Sequence, residues 1–253
     1  MYKGKKLIGC VFDPTGFKKP DGSLDSGAMA DEMFKWAQSQ FKKIDDAKKT
    51  EWSIKGITLG NQGKYDEAIE AFDKAIEIDP KYASARSNKG EALRRQNDYD
   101  GAIQHLDKAI EINPQCAEAW FNKGLALNAQ GKYDESVQAY EKAVEINPQD
   151  ADAWYNKGLA LGKQGKYNEA ILAYDKAIEV NPQDAEAWDN KGVALREQGK
   201  YDDAIEAFDE AIEIDPKKAS AWYNKGSTLL KLKRDNEAGD ALDRARELGF
   251  DKC

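Results

Sequence analysis

The sequence predicts an all-α protein built as a stacked array of antiparallel helix pairs. Two observations lead there. The chain repeats every 34 residues: Trp52, Trp120, Trp154, Trp188 and Trp222 share one register, with Arg86 in the vacant slot. Gly56, Gly90, Gly124, Gly158, Gly192 and Gly226 share another, and Pro80, Pro114, Pro148, Pro182 and Pro216 a third. Within a period, apolar residues recur at steps of three and four, which is helical spacing rather than the alternation of a strand. A fixed period of this length denotes units that bury their apolar stripes against one another, not a single closed core.

The elements follow in order. Residues 1 to 27 lie outside the repeat. They hold a short apolar run, LIGCVF, between turn signals, and read as a tail, a hairpin or a strand docked on the array. Gly27-Ala28-Met29 also matches the scar of a tag-removal vector, so this segment is either native or a fused peptide. Residues 28 to 48 form a capping helix, on the stripe of Phe34, Ala37, Phe41 and Ile44. Six units then cover 49–82, 83–116, 117–150, 151–184, 185–218 and 219–252.

The third unit serves for all. Gly131 ends its first helix, where a left-handed cap suits glycine. Asp134 and Glu135 open the second helix, favourably placed against its dipole. Asn147-Pro148 stops it, because proline disfavours helical geometry in the residue before. Asp150 caps the next unit. Ser136 replaces an alanine, its hydroxyl expected to bond back to the preceding turn. The sixth unit departs in a directed way. Gly239 and Arg246 stand where the fifth has Ile205 and Ile212, Asp235 replaces the tyrosine, and Phe250 the proline, as a terminal capping repeat requires.

Charge and cysteine content narrow the function. The net charge is −8, with +2 on residues 1 to 28 and −10 on the rest, which argues against a nucleic-acid partner. Three scattered cysteines, Cys10, Cys116 and Cys253, make neither a disulfide framework nor a metal spacing, so a reducing, cytoplasmic setting is expected. No apolar run reaches membrane-spanning length, and Lys5 and Lys6 interrupt the only lipobox-like start. No phosphate loop, nucleophile elbow or metal cluster is present, and His105 is the only histidine. No catalytic residue, metal or cofactor is therefore expected.

The order of tryptophan, glycine, tyrosine, alanine, aromatic or leucine, alanine and proline resembles the tetratricopeptide repeat family, particularly the long arrays of prokaryotes such as methanogens. One departure is systematic. Lys55, Lys89, Lys123, Lys157, Lys191 and Lys225 occupy a slot where the family often has leucine. The resemblance implies a right-handed α-solenoid whose first helices line a concave groove. Its groove slots fall on Asn88, Asn122, Asn156, Asn190 and Asn224, and on Phe121, Tyr155, Tyr223, Leu125 and Leu159. Such amides suit the main chain of an extended peptide, since each offers a donor and an acceptor. The alternative is that they satisfy local backbone groups. The carboxylate clamp of chaperone-binding relatives is disfavoured, because Ser53, Ile57 and Glu118 depart from it.

The expected function is a non-catalytic scaffold that binds a protein or peptide segment. The alternative is a structural element that self-assembles by end-to-end stacking or exchange of the N-terminal segment. That segment is basic against an acidic array, and is expected to dock on it.

Overall fold

The computed structural model describes residues 26 to 250, which form twelve helices. They are α1 (Ser26–Asn61), α2 (Tyr65–Ile78), α3 (Ala83–Arg95), α4 (Tyr99–Ile112), α5 (Ala117–Ala129) and α6 (Tyr133–Ile146). There follow α7 (Ala151–Lys163), α8 (Tyr167–Val180), α9 (Ala185–Glu197), α10 (Tyr201–Ile214), α11 (Ala219–Lys231) and α12 (Asp235–Glu247). No strand occurs among the described residues. The expectations for the segment before residue 26, including docking of LIGCVF, fall outside them, as does Cys253.

The chain divides into two compact units, one ending at Asn88 and the other beginning at Lys89. In the first, α1 packs on α2. Residues 28 to 48 and the first helix of the first repeat are one continuous helix. Neither glycine nor proline stands between Gly27 and Gly56 to interrupt it. The expected covering stripe is only partly used. Phe41 and Ile44 are half-buried, but Phe34 is 57% exposed and its neighbour Met33 45%.

In the second unit the helices pack in sequence, α4 to α5, α5 to α6, and so on to α11 against α12. Each first helix lies close on its partner because glycine stands at the crossing. A Cβ on Gly124 would sit 2.5 Å from the Tyr140 ring, and one on Gly192 equally close to Phe208. Tyr140 and Phe208 are fully buried there, each burial contributing on the order of 2–3 kcal/mol. Ser136 uses the same close approach. Its hydroxyl donates across the pair to the Gly124 carbonyl at 2.9 Å, not back along its own helix.

Turn chemistry recurs with the period. Gly63, Gly131, Gly165 and Gly199 take φ of 74–77°, and Asn97 and Lys233 fill the same slot at 65° and 58°. At Gly131 the following Lys132 N–H donates to the Leu127 carbonyl, closing the helix end. Asp150 accepts from the Ala153 N–H at 3.0 Å, as expected of a cap, and Asp184 caps α9 likewise. The tryptophans gain a role that spacing alone does not disclose. Trp120, Trp154, Trp188 and Trp222 each donate their indole N–H to the carbonyl of the turn proline six residues back, at 3.0–3.3 Å.

The lysine departure has a physical basis. Lys123, Lys157, Lys191 and Lys225 reach Asp107, Glu141, Asp175 and Asp209 on the second helix of the preceding repeat, at 2.6–3.1 Å. Each ammonium also lies 4.8–5.8 Å from the ring centre of the tryptophan three residues before it. A leucine would supply packing alone; lysine adds a link between consecutive repeats.

Candidate interaction face

The candidate face is carried by the first helices, α5, α7, α9 and α11. Their register puts Phe121, Tyr155 and Tyr223 in one slot, Asn122, Asn156, Asn190 and Asn224 in the next, and Leu125 and Leu159 one turn on. Asn88 belongs to the other compact unit, half-buried on α3.

Phe121, Leu125, Tyr155 and Leu159 come together, all partly buried against the cluster that contains Tyr140 and Tyr174. Phe121 meets Tyr140, and Tyr155 meets Tyr174, each with ring centres 6.0 Å apart and tilted by 50°. These side chains therefore have one side in the core and one toward the face. Burial raises the phenols of Tyr140 and Tyr174 above the ordinary tyrosine range. Tyr155 is pushed up to about 12, first by burial and then by Glu186, Asp184 and Asp189.

The asparagines are not equivalent. Asn122 is 4% exposed, and its amide makes no hydrogen bond among the described residues. Asn156 donates to the Asp152 carbonyl one turn back, at 2.8 Å. Asn190 donates to the Glu186 carbonyl and to Tyr155 Oη, at 2.9 and 3.1 Å. Asn224 donates to Asp189 Oδ1 at 2.8 Å and accepts from Arg196 at 3.2 Å. Tyr223 is covered by Phe250, with ring centres 4.6 Å apart.

Asp189 is the residue sequence reasoning passed over. It stands in the aromatic slot yet is 5% exposed. Ser220 donates to it at 2.8 Å, and Lys218 lies 3.9 Å away while also pairing with Glu186. A lone acid in a slot held by Phe121, Tyr155 and Tyr223 was the available signal. Arg196 is tied to Asn224, Ser227 and Glu197. At the other end, Glu118 is raised by burial and then by Glu91. Arg94 is lowered by burial and then by Arg95.

No helix among the described residues is long and apolar enough to cross a membrane. None of their His, Cys, Asp and Glu side chains cluster to hold a metal. Cys116 is a free thiol.

The repeat geometry and the helix-pair packing define an α-solenoid of the tetratricopeptide class, and the chain belongs to that family. Residues 24–252 match the family described as the Cilia and flagella-associated protein 70 C-terminal domain. Among solved structures, "YrrB: a TPR protein with an unusual peptide-binding site" is 30% identical. It covers 73% of this chain and 95% of its own, with a TM-score of 0.65. MamA is 29% identical over 65% of this chain and 96% of its own, with a TM-score of 0.61. Pseudomonas aeruginosa PilF shares the fold at 18% identity and a TM-score of 0.71, over 82% of this chain and 95% of its own. No curated protein matches the chain at the sequence level. Tetratricopeptide arrays are in general protein-interaction scaffolds, and this chain belongs to that family.

Proposed function

We propose that the chain is a non-catalytic scaffold of the reducing cytoplasm that binds an extended peptide segment of a partner protein on the face of its third and fourth repeats. The observation that carries this reading is Asn122. Its amide makes no hydrogen bond within the protein and its polar atoms still reach solvent, so donor and acceptor are both available to a peptide backbone. Phe121 and Leu125 beside it, and Tyr155 and Leu159 one repeat on, offer apolar surface for alternate side chains. The likeness to YrrB, a tetratricopeptide protein with an unusual peptide-binding site, favours the same reading. The test is selection of extended octapeptides from a random library, followed by affinity measurement on Asn122→Ala and Asn156→Ala. Tenfold or greater weakening, on the order of one lost hydrogen bond to a buried partner, is expected. Undiminished binding would remove these amides from the mechanism.

A second reading, self-association, draws on α1. Met33 and Phe34 are exposed on it at 45% and 57%, and Ile54 and Ile57 at 59% and 44%. A second copy of the chain is the occupant this reading requires. Light scattering over a hundredfold concentration range, with Phe34→Ser as control, decides it: a strict monomer excludes the reading.

A further inference from the structure

Three slots meet where repeat five joins repeat six: the second residue of the repeat, the aromatic slot three residues on, and the last residue of the same repeat. They hold Glu186, Asp189 and Lys218. The Lys218 side chain is 9% exposed; its ammonium pairs with Glu186 and lies 3.9 Å from Asp189. This junction encloses a cation of its own. Between repeats three and four the same slots hold Glu118, Phe121 and Asp150. The first acid stays, the second has become an aromatic ring, and the lysine a carboxylate.

The junction between repeats four and five shows what faces this place. Tyr155, in the aromatic slot, feels the charges of Glu186, Asp184 and Asp189 from the turn and helix that follow. In the same register Asp150 and Asp152 stand toward Phe121. Asp150 is engaged in capping α7, while Glu118 and Asp152 make no ion pair among the described residues. Burial raises the Glu118 carboxyl, Glu91 raises it further, and no cation offsets the two. Asn122 stands one turn after Glu118 on the same side of α5, 4% exposed and without a hydrogen bond. The equivalent amides of Asn156 and Asn190 turn back to the carbonyls of Asp152 and Glu186; that of Asn122 does not turn back to Glu118.

We propose that Glu118 and Phe121, with the Asn122 amide and Asp150 across the turn, form a subsite for a basic side chain of the bound segment. Its cation takes the place that Lys218 fills from within between repeats five and six. Glu118 supplies the carboxylate, the Phe121 ring a face for the cation, and the side-chain oxygen of Asn122 a further acceptor. The net charge of −10 beyond residue 28 favours a ligand of this sign. The inference rests on the peptide-binding reading above and deepens it.

Octapeptides of random sequence, acetylated and amidated so that only side chains carry charge, test both together on the full chain. The expected result is binders that share a lysine or arginine at one position. For a selected peptide, Glu118→Gln weakens binding about tenfold, as does replacing that basic residue by glutamine, and the two losses are not additive. Asp150→Lys gives this junction the lysine of the other one, and weakens the same peptide at least as much. Glu145→Gln removes an equal charge from α6, where it is paired with Lys142, and changes affinity by less than threefold. Circular dichroism shows which variants fold; should Asp150→Lys, which loses a cap, fail to, Glu118→Gln decides alone. Binders without a shared base, indifference to Glu118→Gln or to a folded Asp150→Lys, or an equal loss with Glu145→Gln overturns the subsite and leaves the peptide-binding face standing. An absence of binders overturns both.

Discussion

At the turn proline, one geometric need has selected two unlike side chains. Four repeats bring an indole N–H to the proline carbonyl, and Arg86 brings its Nε and a terminal nitrogen to Pro80 O, at 3.1 and 2.8 Å. The substitution thus keeps the bond that fixes the turn. Arg86→Trp is expected to hold stability within about 1 kcal/mol, whereas Arg86→Leu, which has no donor, loses about 0.5–1.5 kcal/mol. Urea unfolding of both variants checks this, and equal losses would detach the turn bond from stability. Glycines divide in the same way. Gly124→Ala drives a methyl into the Tyr140 ring and should cost about 1–3 kcal/mol. Gly239→Ala, in the interior of α12 with nothing within 4 Å, should gain about 0.5–1 kcal/mol. The periodic glycines told the sequence reader where helices end and cross. The bond made by Ser136 was not legible, because its acceptor lies twelve residues away on the other helix of the pair. Nothing in local sequence says that Gly124 brings its carbonyl within reach.

Between elements, the array is laced by lysines. Each link from Lys123, Lys157, Lys191 or Lys225 joins a first helix to the second helix of the repeat before it. The ammonium ends are partly shielded and lie against indole faces, so each link is worth about 0.5–1 kcal/mol rather than the near-zero of an open surface pair. Replacing all four lysines by methionine keeps the stems and removes the charges. The expected result is a lower melting temperature at low salt and a smaller stability loss between 0.05 and about 1 M salt, since screening acts on the ion pairs and not on packing. An unchanged salt response would show the links to be decorative. In the first unit, Lys49 bridges Asp46 at 2.8 Å and Asp79 at 2.7 Å. The Lys49 hydrogen bond holds Asp79 below its ordinary value of 3.8. Its folded value being the lower one, the Asp79 contribution is complete above 3.8 and fades as pH falls from there through the depressed value. Asp79→Asn should therefore destabilise the chain at neutral pH and narrow its gap from the parent below about pH 4. A gap constant with pH would mean that Asp79 acts through its backbone-facing hydrogen bond to Lys81 alone.

On the scale of the molecule, period and register placed the helices from α2 to α12, whereas the two helices expected at the start are the single α1. Period and register also placed the candidate face, but not its division into committed and available parts. That division depends on which side chain stands one repeat away, and therefore on pairs some 35 residues apart, such as Asn190 with Tyr155 and Asn224 with Asp189. Read as a column, the asparagines look alike; read with their partners, they do not. Asn224 is one corner of a nearly dry network with Asp189, Ser220, Lys218 and Arg196, in which removing a member strands the others. Asn156 and Asn122 belong to no such network. Their substitution should separate two effects that a uniform ladder would combine. Asn224→Ala and Asp189→Asn are expected to lower stability by about 1–3 kcal/mol and to leave the affinity for a selected peptide within threefold. Asn122→Ala is expected to do the reverse: affinity falls tenfold or more, while the unfolding midpoint holds, since the amide makes no hydrogen bond within the protein. Denaturant curves and peptide titrations on the same protein samples measure both. Should Asn224→Ala weaken the peptide as strongly as Asn122→Ala, the ligand must extend into the sixth repeat and displace the Asp189 network. The committed end of the face would then be a closed state of the binding site and not its boundary.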